Sequence, residues 1–256
     1  MKNTFFYIYG KLIKIIFNFV KWMFLLVSTK MKYPYISDRG LITKYLSTFR
    51  TNQQFISAYN FGIALLDEDP GSKYRMHQAI WATSVAITNN GDWIELGTGR
   101  GFTMSGVLHY HQKKWNAVSN NCFLVDTFLP YGVDKNTGLQ LDKSPKNSVY
   151  CDNLDLVIDH FKKFKNVHIV KGRVPECLKK IKSDKISFLH IDLNNAKPEF
   201  DGLSILWDKL IKGAVILLDD YGFPNRRDQH DAMNEFAHSH NIEIFQLPTG
   251  QGLMIK

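Results

Sequence analysis

Residues 93–103 read WIELGTGRGFT, and this stretch decides the fold that the chain is expected to adopt. Trp93–Leu96 is a short, mostly apolar run typical of a buried strand, and glycines follow at every second position from Gly97 to Gly101. Glycine permits a tight turn and lets the backbone come close to a ligand at the start of a helix. The stretch therefore predicts a strand, a nucleotide-type loop and a helix, although a purely structural turn has the same pattern.

The rest of the chain repeats this alternation. Apolar runs predict strands at 93–96, 122–125, 167–170, 186–191 and 214–218, with helices near 102–112, 152–164, 174–181, 199–210 and 228–239. Such runs indicate a parallel sheet covered on both faces, and residues 242–245 and 253–255 predict a terminal hairpin. The expected fold class is α/β, a doubly wound Rossmann-like sheet of about seven strands. It is mostly parallel, with one antiparallel C-terminal strand.

Helices are expected before this sheet, at 37–66 and 75–88. Ser37 and Asp38 are suited to cap the first helical stretch, and Asn52 a second one within it. The predicted organisation has three parts: a basic N-terminal helix at 1–32, a helical cap at 33–90 and the sheet domain at 91–256.

The formal net charge of +8 belongs to one part of the chain. Residues 1–50 contain nine Lys and Arg residues and one acid, so residues 51–256 are balanced and a nucleic-acid partner is not expected. Lys11, Lys14 and Lys21 share one stripe of a helix that is otherwise apolar and aromatic. Such a helix suits an anionic membrane surface, which predicts a cytoplasmic protein lying peripherally at the inner face of the cell membrane.

Three alternatives remain for residues 1–32. The helix is a tilted membrane span, or a cleaved signal peptide, or it packs on its own domain or on a second copy in a homo-oligomer. The three cysteines, Cys122, Cys151 and Cys177, form no metal-binding motif and cannot all pair, which fits a reducing cytoplasm.

Acidic residues follow several predicted strands at the edge where α/β sheets bind ligands. Glu95 ends the first strand and Asp126 the second, where an acid commonly binds ribose hydroxyls. Asp192 follows the fourth strand, and Asp219 and Asp220 follow the fifth. Three like charges so close together predict a hard divalent cation such as Mg²⁺, unless the acids are solvated separately.

The glycine loop with its preceding acid resembles the first motif of class I S-adenosylmethionine-dependent methyltransferases. The resemblance implies S-adenosylmethionine as cofactor, with the glycines near its methionine part and Asp126 on its ribose. The residues expected at the cofactor are Glu95, Gly97, Thr98, Gly99, Gly101, Asp126, Thr127, Gly172 and Arg173.

Further motifs resemble the macrocin O-methyltransferase family of sugar methylases. Asp219–Gly222 matches its Asp-Asp-Tyr-Gly motif, Asp126–Phe128 its Asp-Thr/Ser-Phe, and Gly172–Glu176 its glycine segment after a strand. The resemblance implies Mg²⁺ held by Asp192, Asp219 and Asp220, with a sugar hydroxyl bound to the metal. Where the family has Asp-Leu-Tyr-Glu-Ser-Thr, residues 192–197 read Asp-Leu-Asn-Asn-Ala-Lys, so the resemblance does not extend to acceptor contacts from this loop.

The expected function is metal-dependent transfer of a methyl group from S-adenosylmethionine to a hydroxyl of a sugar or glycan precursor. Asp192 is the expected general base, and His230 is the alternative, on a predicted helix near Arg226. The loop 127–150 is long enough to act as a lid. A phenol or catechol acceptor, or a membrane-associated module without turnover, are the competing functions.

Overall fold

The computed structural model describes residues 16, 18–24, 26–28, 36–129 and 154–256. It divides into two compact units, Met1–Thr48 and Phe49–Lys256. The greater part of the predicted lid loop, and Cys151, lie outside the described residues.

The first unit contains a helical segment and a small hairpin. The described residues up to 28 are helical, and β1 (Ile36–Asp38) pairs antiparallel with β2 (Leu41–Thr43). The prediction of a helix starting at residue 37 is therefore wrong. Ser37 and Asp38 lie in a strand, because the chain reverses at Arg39 and Gly40 and the β-branched residues on either side favour an extended pairing.

Two helices precede the sheet in the second unit. A short 3₁₀ turn, Thr48–Thr51, leads into α1 (Gln53–Ile63), and α2 spans Lys73–Ala86. The side chain of Asn52 accepts a hydrogen bond from the Phe55 amide over 3.0 Å, so the predicted cap is present. Within the described ranges, none of the helices combines the length and hydropathy needed to cross a bilayer.

The sheet elements alternate with helices as expected. The strands are β3 (Asp92–Leu96), β4 (Cys122–Asp126), β5 (Val167–Lys171), β6 (Ile186–Ile191), β7 (Leu210–Leu218), β8 (Phe245–Gln246) and β9 (Gly252–Ile255). The helices are α3 (Phe102–Trp115), α4 (Leu154–Phe161), α5 (Ala196–Leu206) and α6 (Arg227–Ser239). Residues 176–180, predicted as part of an α-helix, form a 3₁₀ helix, and a second one spans Trp207–Lys209.

The strand order is β5-β4-β3-β6-β7-β9-β8. β3 to β7 pair in parallel, and β9 is antiparallel to both β7 and β8. This confirms the predicted mostly parallel sheet with one antiparallel strand near the C-terminus. The chain turns to opposite sides of the sheet at β3, so the ends of β3, β4 and β6 border the crevice where such sheets bind ligands.

Alternate side chains of each strand enter two cores. Trp93 packs into one cluster with α1, α2 and α3, while Ile94 and Leu96 pack into the other with α5 and α6. This alternation follows from the two-residue period of a strand and explains why the strands read as continuous apolar runs. Cys122 and Cys177 are buried free thiols within these cores.

Candidate active site

The glycine loop after β3 requires glycine for both conformation and space. Gly97, Gly99 and Gly101 have φ values of 93°, 54° and 89°, in the left-handed region. A Cβ on Gly97 would lie 1.8 Å from the carbonyl oxygen of Asp192. The predicted cofactor loop therefore packs directly against the backbone that carries the predicted metal ligand.

Asp126, at the end of β4, supports the same loop. Its Oδ2 accepts a hydrogen bond from the Gly99 amide over 2.7 Å, and its Oδ1 accepts one from the Phe128 amide over 2.8 Å. Thr127 donates its hydroxyl to Oδ1 over 3.3 Å. A carboxylate has about four acceptor positions, so Asp126 can hold the loop and still accept hydrogen bonds from a ligand.

Three more of the predicted cofactor residues lie at this edge. The amide of Gly172 donates to the carbonyl of Asp126 over 2.9 Å, which places the end of β5 beside the end of β4. Arg173 is the next residue, and its carbonyl oxygen accepts a hydrogen bond from the Cys177 amide over 2.8 Å. Thr98 is buried, and its amide donates to the Val125 carbonyl over 3.2 Å.

Glu95 and His190 form a buried ion pair under the loop. Nδ1 of His190 lies 3.0 Å from Oε1 of Glu95, and the two side chains are 1% and 2% exposed. Burial raises the pKa of Glu95. Burial also opposes the charged form of His190, but the carboxylates of Asp219 and Glu95 outweigh it and raise the pKa of His190 to about 10. The neighbouring carboxylates therefore favour the imidazolium form of His190.

The structure brings the three predicted metal-binding acids to one edge. Burial and the charges of Asp219 and Asp220 raise the pKa of Asp192 well above its ordinary value. Burial also opposes ionisation of Asp219, yet the charges of Arg75 and His190 hold its pKa below the ordinary value. Neighbouring cations thus favour the ionised form of Asp219, whereas burial and like charges disfavour the ionised form of Asp192.

Arg75 supplies a cation that sequence reasoning missed. Its Nη1 lies 2.7 Å from Oδ2 of Asp219, and its Nη2 lies 3.2 Å from Oδ1 of Asp220. Asp219 also accepts a hydrogen bond on Oδ1 from Gln251 over 2.8 Å. The one sequence signal was that Arg75 shares a face of α2 with the small residues Ala79 and Ala82, which are buried, but nothing in the sequence names a partner 144 residues away.

The expected metal centre is not assembled as a coordination site. Among the residues that the structure describes, no group of three or more His, Cys, Asp and Glu side chains is arranged to hold a metal ion. Arg75 donates a hydrogen bond to Oδ2 of Asp219 and Gln251 donates one to Oδ1, so both side-chain oxygens already have a donor.

His230, the alternative base, has its own set of contacts on α6. Its ring stacks on Tyr221 with centroids 4.6 Å apart, and its Nδ1 lies 3.1 Å from Oδ1 of Asp231. Nearby, Arg226 donates to both the carbonyl and the side-chain oxygen of Asn194, over 3.2 and 2.8 Å. Asn194 in turn donates to Asp192 over 3.3 Å, so Arg226 braces the loop that follows the expected base.

This sheet order, with a glycine loop after β3 and acids at the strand ends, defines a Rossmann-like, S-adenosylmethionine-dependent methyltransferase. The O-methyltransferase NovP has the same fold, with a TM-score of 0.60 and 20% identity over 78% of this chain and 87% of its own. The chain belongs to the macrocin-O-methyltransferase (TylF) family, which matches residues 72–246. It is accordingly an O-methyltransferase.

Other solved structures share the fold at lower identity. CalS11, a calicheamicin methyltransferase, has a TM-score of 0.57 and 13% identity over 82% of this chain and 94% of its own. A methyltransferase from Podospora anserina with bound S-adenosylhomocysteine, PaMTH1, has a TM-score of 0.51 and 13% identity over 80% and 88%. No curated protein matches the sequence.

Proposed function

We propose that the chain transfers the methyl group of S-adenosylmethionine to a hydroxyl of a sugar or glycan precursor. The contact of Gly97 with the backbone of Asp192 carries this proposal, because it makes the cofactor loop and the acidic edge neighbours. A methyl donor on the loop and a hydroxyl at the acids would then be close enough for direct transfer. A further structure of CalS11 is described as a TDP-rhamnose 3'-O-methyltransferase, which supports a sugar acceptor.

The cofactor residues of this proposal surround one loop. In this proposal Asp126 and Thr127 bind the ribose part, and Glu95, which pairs with His190, lies in the strand that leads into the loop. The proposed contacts are Glu95, Gly97, Thr98, Gly99, Gly101, Asp126, Thr127, Gly172 and Arg173.

A divalent cation, Mg²⁺ by preference, is part of the proposal. Asp192, Asp219 and Asp220 are the carboxylates that would hold it, and the donor chemistry fits because all three offer the hard oxygen ligands that this ion prefers. When bound, the cation lowers the pKa of a sugar hydroxyl and orients its oxygen. Asp192 accepts the hydroxyl proton in this proposal, and His230 is the alternative base.

Methyl transfer to a panel of acceptors tests the proposal. TDP-rhamnose and catechol, assayed side by side with and without chelator, separate the sugar acceptor from the phenolic one. We expect sugar methylation that chelation reduces at least a hundredfold and added Mg²⁺ restores. Asp219→Asn should lose the activity, while the exposed Asp228→Asn on α6 should keep it.

Each contrary result has a distinct meaning. Full activity in excess chelator would contradict the proposed role of the divalent cation. Methylation of catechol alone would show that the acceptor is a phenol and not a sugar. Failure to bind S-adenosylhomocysteine in calorimetry would favour a module without turnover.

We also propose that residues 1–32 lie on an anionic membrane surface. The helical residues Phe19, Val20 and Trp22 are 58%, 58% and 57% exposed, and the lysines of this segment carry complementary charge. Sedimentation with phosphatidylglycerol vesicles is expected for the whole chain and not after deletion of residues 1–32. The Phe19→Ser, Trp22→Ser double variant should bind weakly, whereas Trp81→Ser, at a 49% exposed tryptophan of α2, should bind normally.

Unchanged vesicle binding after the deletion would contradict the membrane role. A fall in the number of chains per particle on deletion, measured by light scattering, would instead support packing of this helix on a second copy. Binding to phosphatidylcholine as strong as to phosphatidylglycerol would show that apolar contact dominates over charge.

A further inference from the structure

Arg75 joins α2 to the acidic edge through both backbone and side chains. Besides its contacts with the carboxylates of Asp219 and Asp220, its Nη2 donates to the carbonyl oxygen of Asp219 over 2.6 Å. The Arg75 side chain is 7% exposed, and those of Asp219 and Asp220 are 14% and 12% exposed. A single buried guanidinium therefore fixes the turn that carries both acids.

The contacts continue as a buried run of alternating acidic and basic side chains. It leads from Glu95 through His190 to Asp219, whose Oδ1 lies 3.7 Å from Nε2 of His190, and then through Arg75 to Asp220. Asp219 thus lies between the imidazole of His190 and the guanidinium of Arg75. Asp192 stands outside this run, and Asp220 shares Arg75 with Asp219.

We propose that Arg75 is a positioning residue that serves as a built-in countercharge at this edge. It holds Asp219 and Asp220 in place when no divalent cation is bound, and it competes with a divalent cation for the same carboxylates. The inference rests on the proposed function, since these acids are the ones assigned there to the acceptor side. Its consequence is that Arg75 sets the affinity of the edge for the cation.

Binding of Mn²⁺, followed by electron paramagnetic resonance, tests this directly in the full chain without an acceptor. In Arg75→Met the competing charge is gone, so we expect Mn²⁺ to bind at least about tenfold more tightly than in the wild type. The same variant should unfold roughly 10 °C lower without a cation, because two buried acids lose their partner. Mg²⁺ should then raise its unfolding temperature more than that of the wild type.

Arg75→Lys keeps one charge but loses the two-pronged contact, so its Mn²⁺ affinity should lie between those of the wild type and Arg75→Met. It also answers the question if the methionine variant does not fold. Thr83→Ala on the same helix controls for general destabilisation, since buried Thr83 bonds Ala79 and His111 rather than the acids. Mg²⁺ should raise the unfolding temperature of Thr83→Ala by as much as that of the wild type.

Weaker Mn²⁺ binding in Arg75→Met than in the wild type would overturn the proposal, because Arg75 would then build the site rather than compete for it. Absence of Mn²⁺ binding in both proteins would also overturn it. Calorimetry with S-adenosylhomocysteine on the same samples separates these outcomes from failure of the proposed methyl transfer, because that ligand is assigned to the loop of Gly97–Gly101.

Discussion

The carboxylate of Asp126 has two tasks at the end of β4. It accepts the amides of Gly99 and Phe128, and so it shapes the glycine loop that is proposed to hold the cofactor. Hydrogen bonds to a charged group contribute about 1.5–3 kcal/mol each. A change at this residue should therefore disturb the loop and also remove the proposed contact with the ribose of the cofactor.

We expect Asp126→Ala to weaken binding of S-adenosylhomocysteine by at least about tenfold in isothermal titration calorimetry. Asp126→Asn keeps one oxygen acceptor and should lie between this variant and the wild type. The exposed Asp159→Asn, on α4, should bind as the wild type does. Equal affinity in Asp126→Ala and the wild type would contradict the assigned role.

Glu199 makes stability depend on pH. Burial raises its pKa to about 7 from an ordinary value of 4.5. Between these values the folded protein keeps a proton that the unfolded chain releases, so the free energy of unfolding falls as the pH rises. The loss over this window is about 3 kcal/mol.

Glu199→Gln should remove this dependence. The amides of Leu193 and Gln229 both donate to Oε1 of Glu199, and glutamine keeps that oxygen. Urea unfolding should find the variant more stable than the wild type at pH 8, with the difference shrinking towards pH 5. A constant difference across this range would argue against a raised pKa, and the exposed Glu243→Gln provides the control.

The strand, glycine loop and helix from Asp92 to Trp115 follow one another as the sequence predicts. The spacing of the glycines predicted the turn, but the reason for Gly97 lies in another strand end, at Asp192. The early hairpin shows the opposite case. Its residues carry helix-capping side chains, yet pairing between Ser37 and Ile42 decides their conformation.

Gly97→Ala should abolish binding of S-adenosylhomocysteine and lower the yield of folded protein. The added Cβ would meet backbone 1.8 Å away, and the residue has a φ of 93°. Gly40→Ala is the matched control, because nothing lies within 4 Å of its Cβ position. Calorimetry on both variants checks the prediction, and normal binding by Gly97→Ala would refute the close contact.

For the whole molecule, the second unit contains its own core. The buried members of both clusters lie between Phe55 and Met254. A chain starting at Phe49 should therefore unfold cooperatively within a few degrees of the full chain and bind S-adenosylhomocysteine within about threefold of it. Aggregation of this shorter chain in scattering and calorimetry experiments would instead indicate that the first unit supports the second.

The sequence by itself determined the class of fold, the glycine loop after β3 and the acidic character of the neighbouring strand ends. These follow from local patterns: apolar runs of strand length, glycines at every second position and acids that end strands. Arg75 illustrates what only the tertiary structure decided. Its partners Asp219 and Asp220 lie 144 and 145 residues away, and His190 meets Glu95 across two strands. Local patterns carry no record of such pairings, because long-range packing decides which buried charges meet.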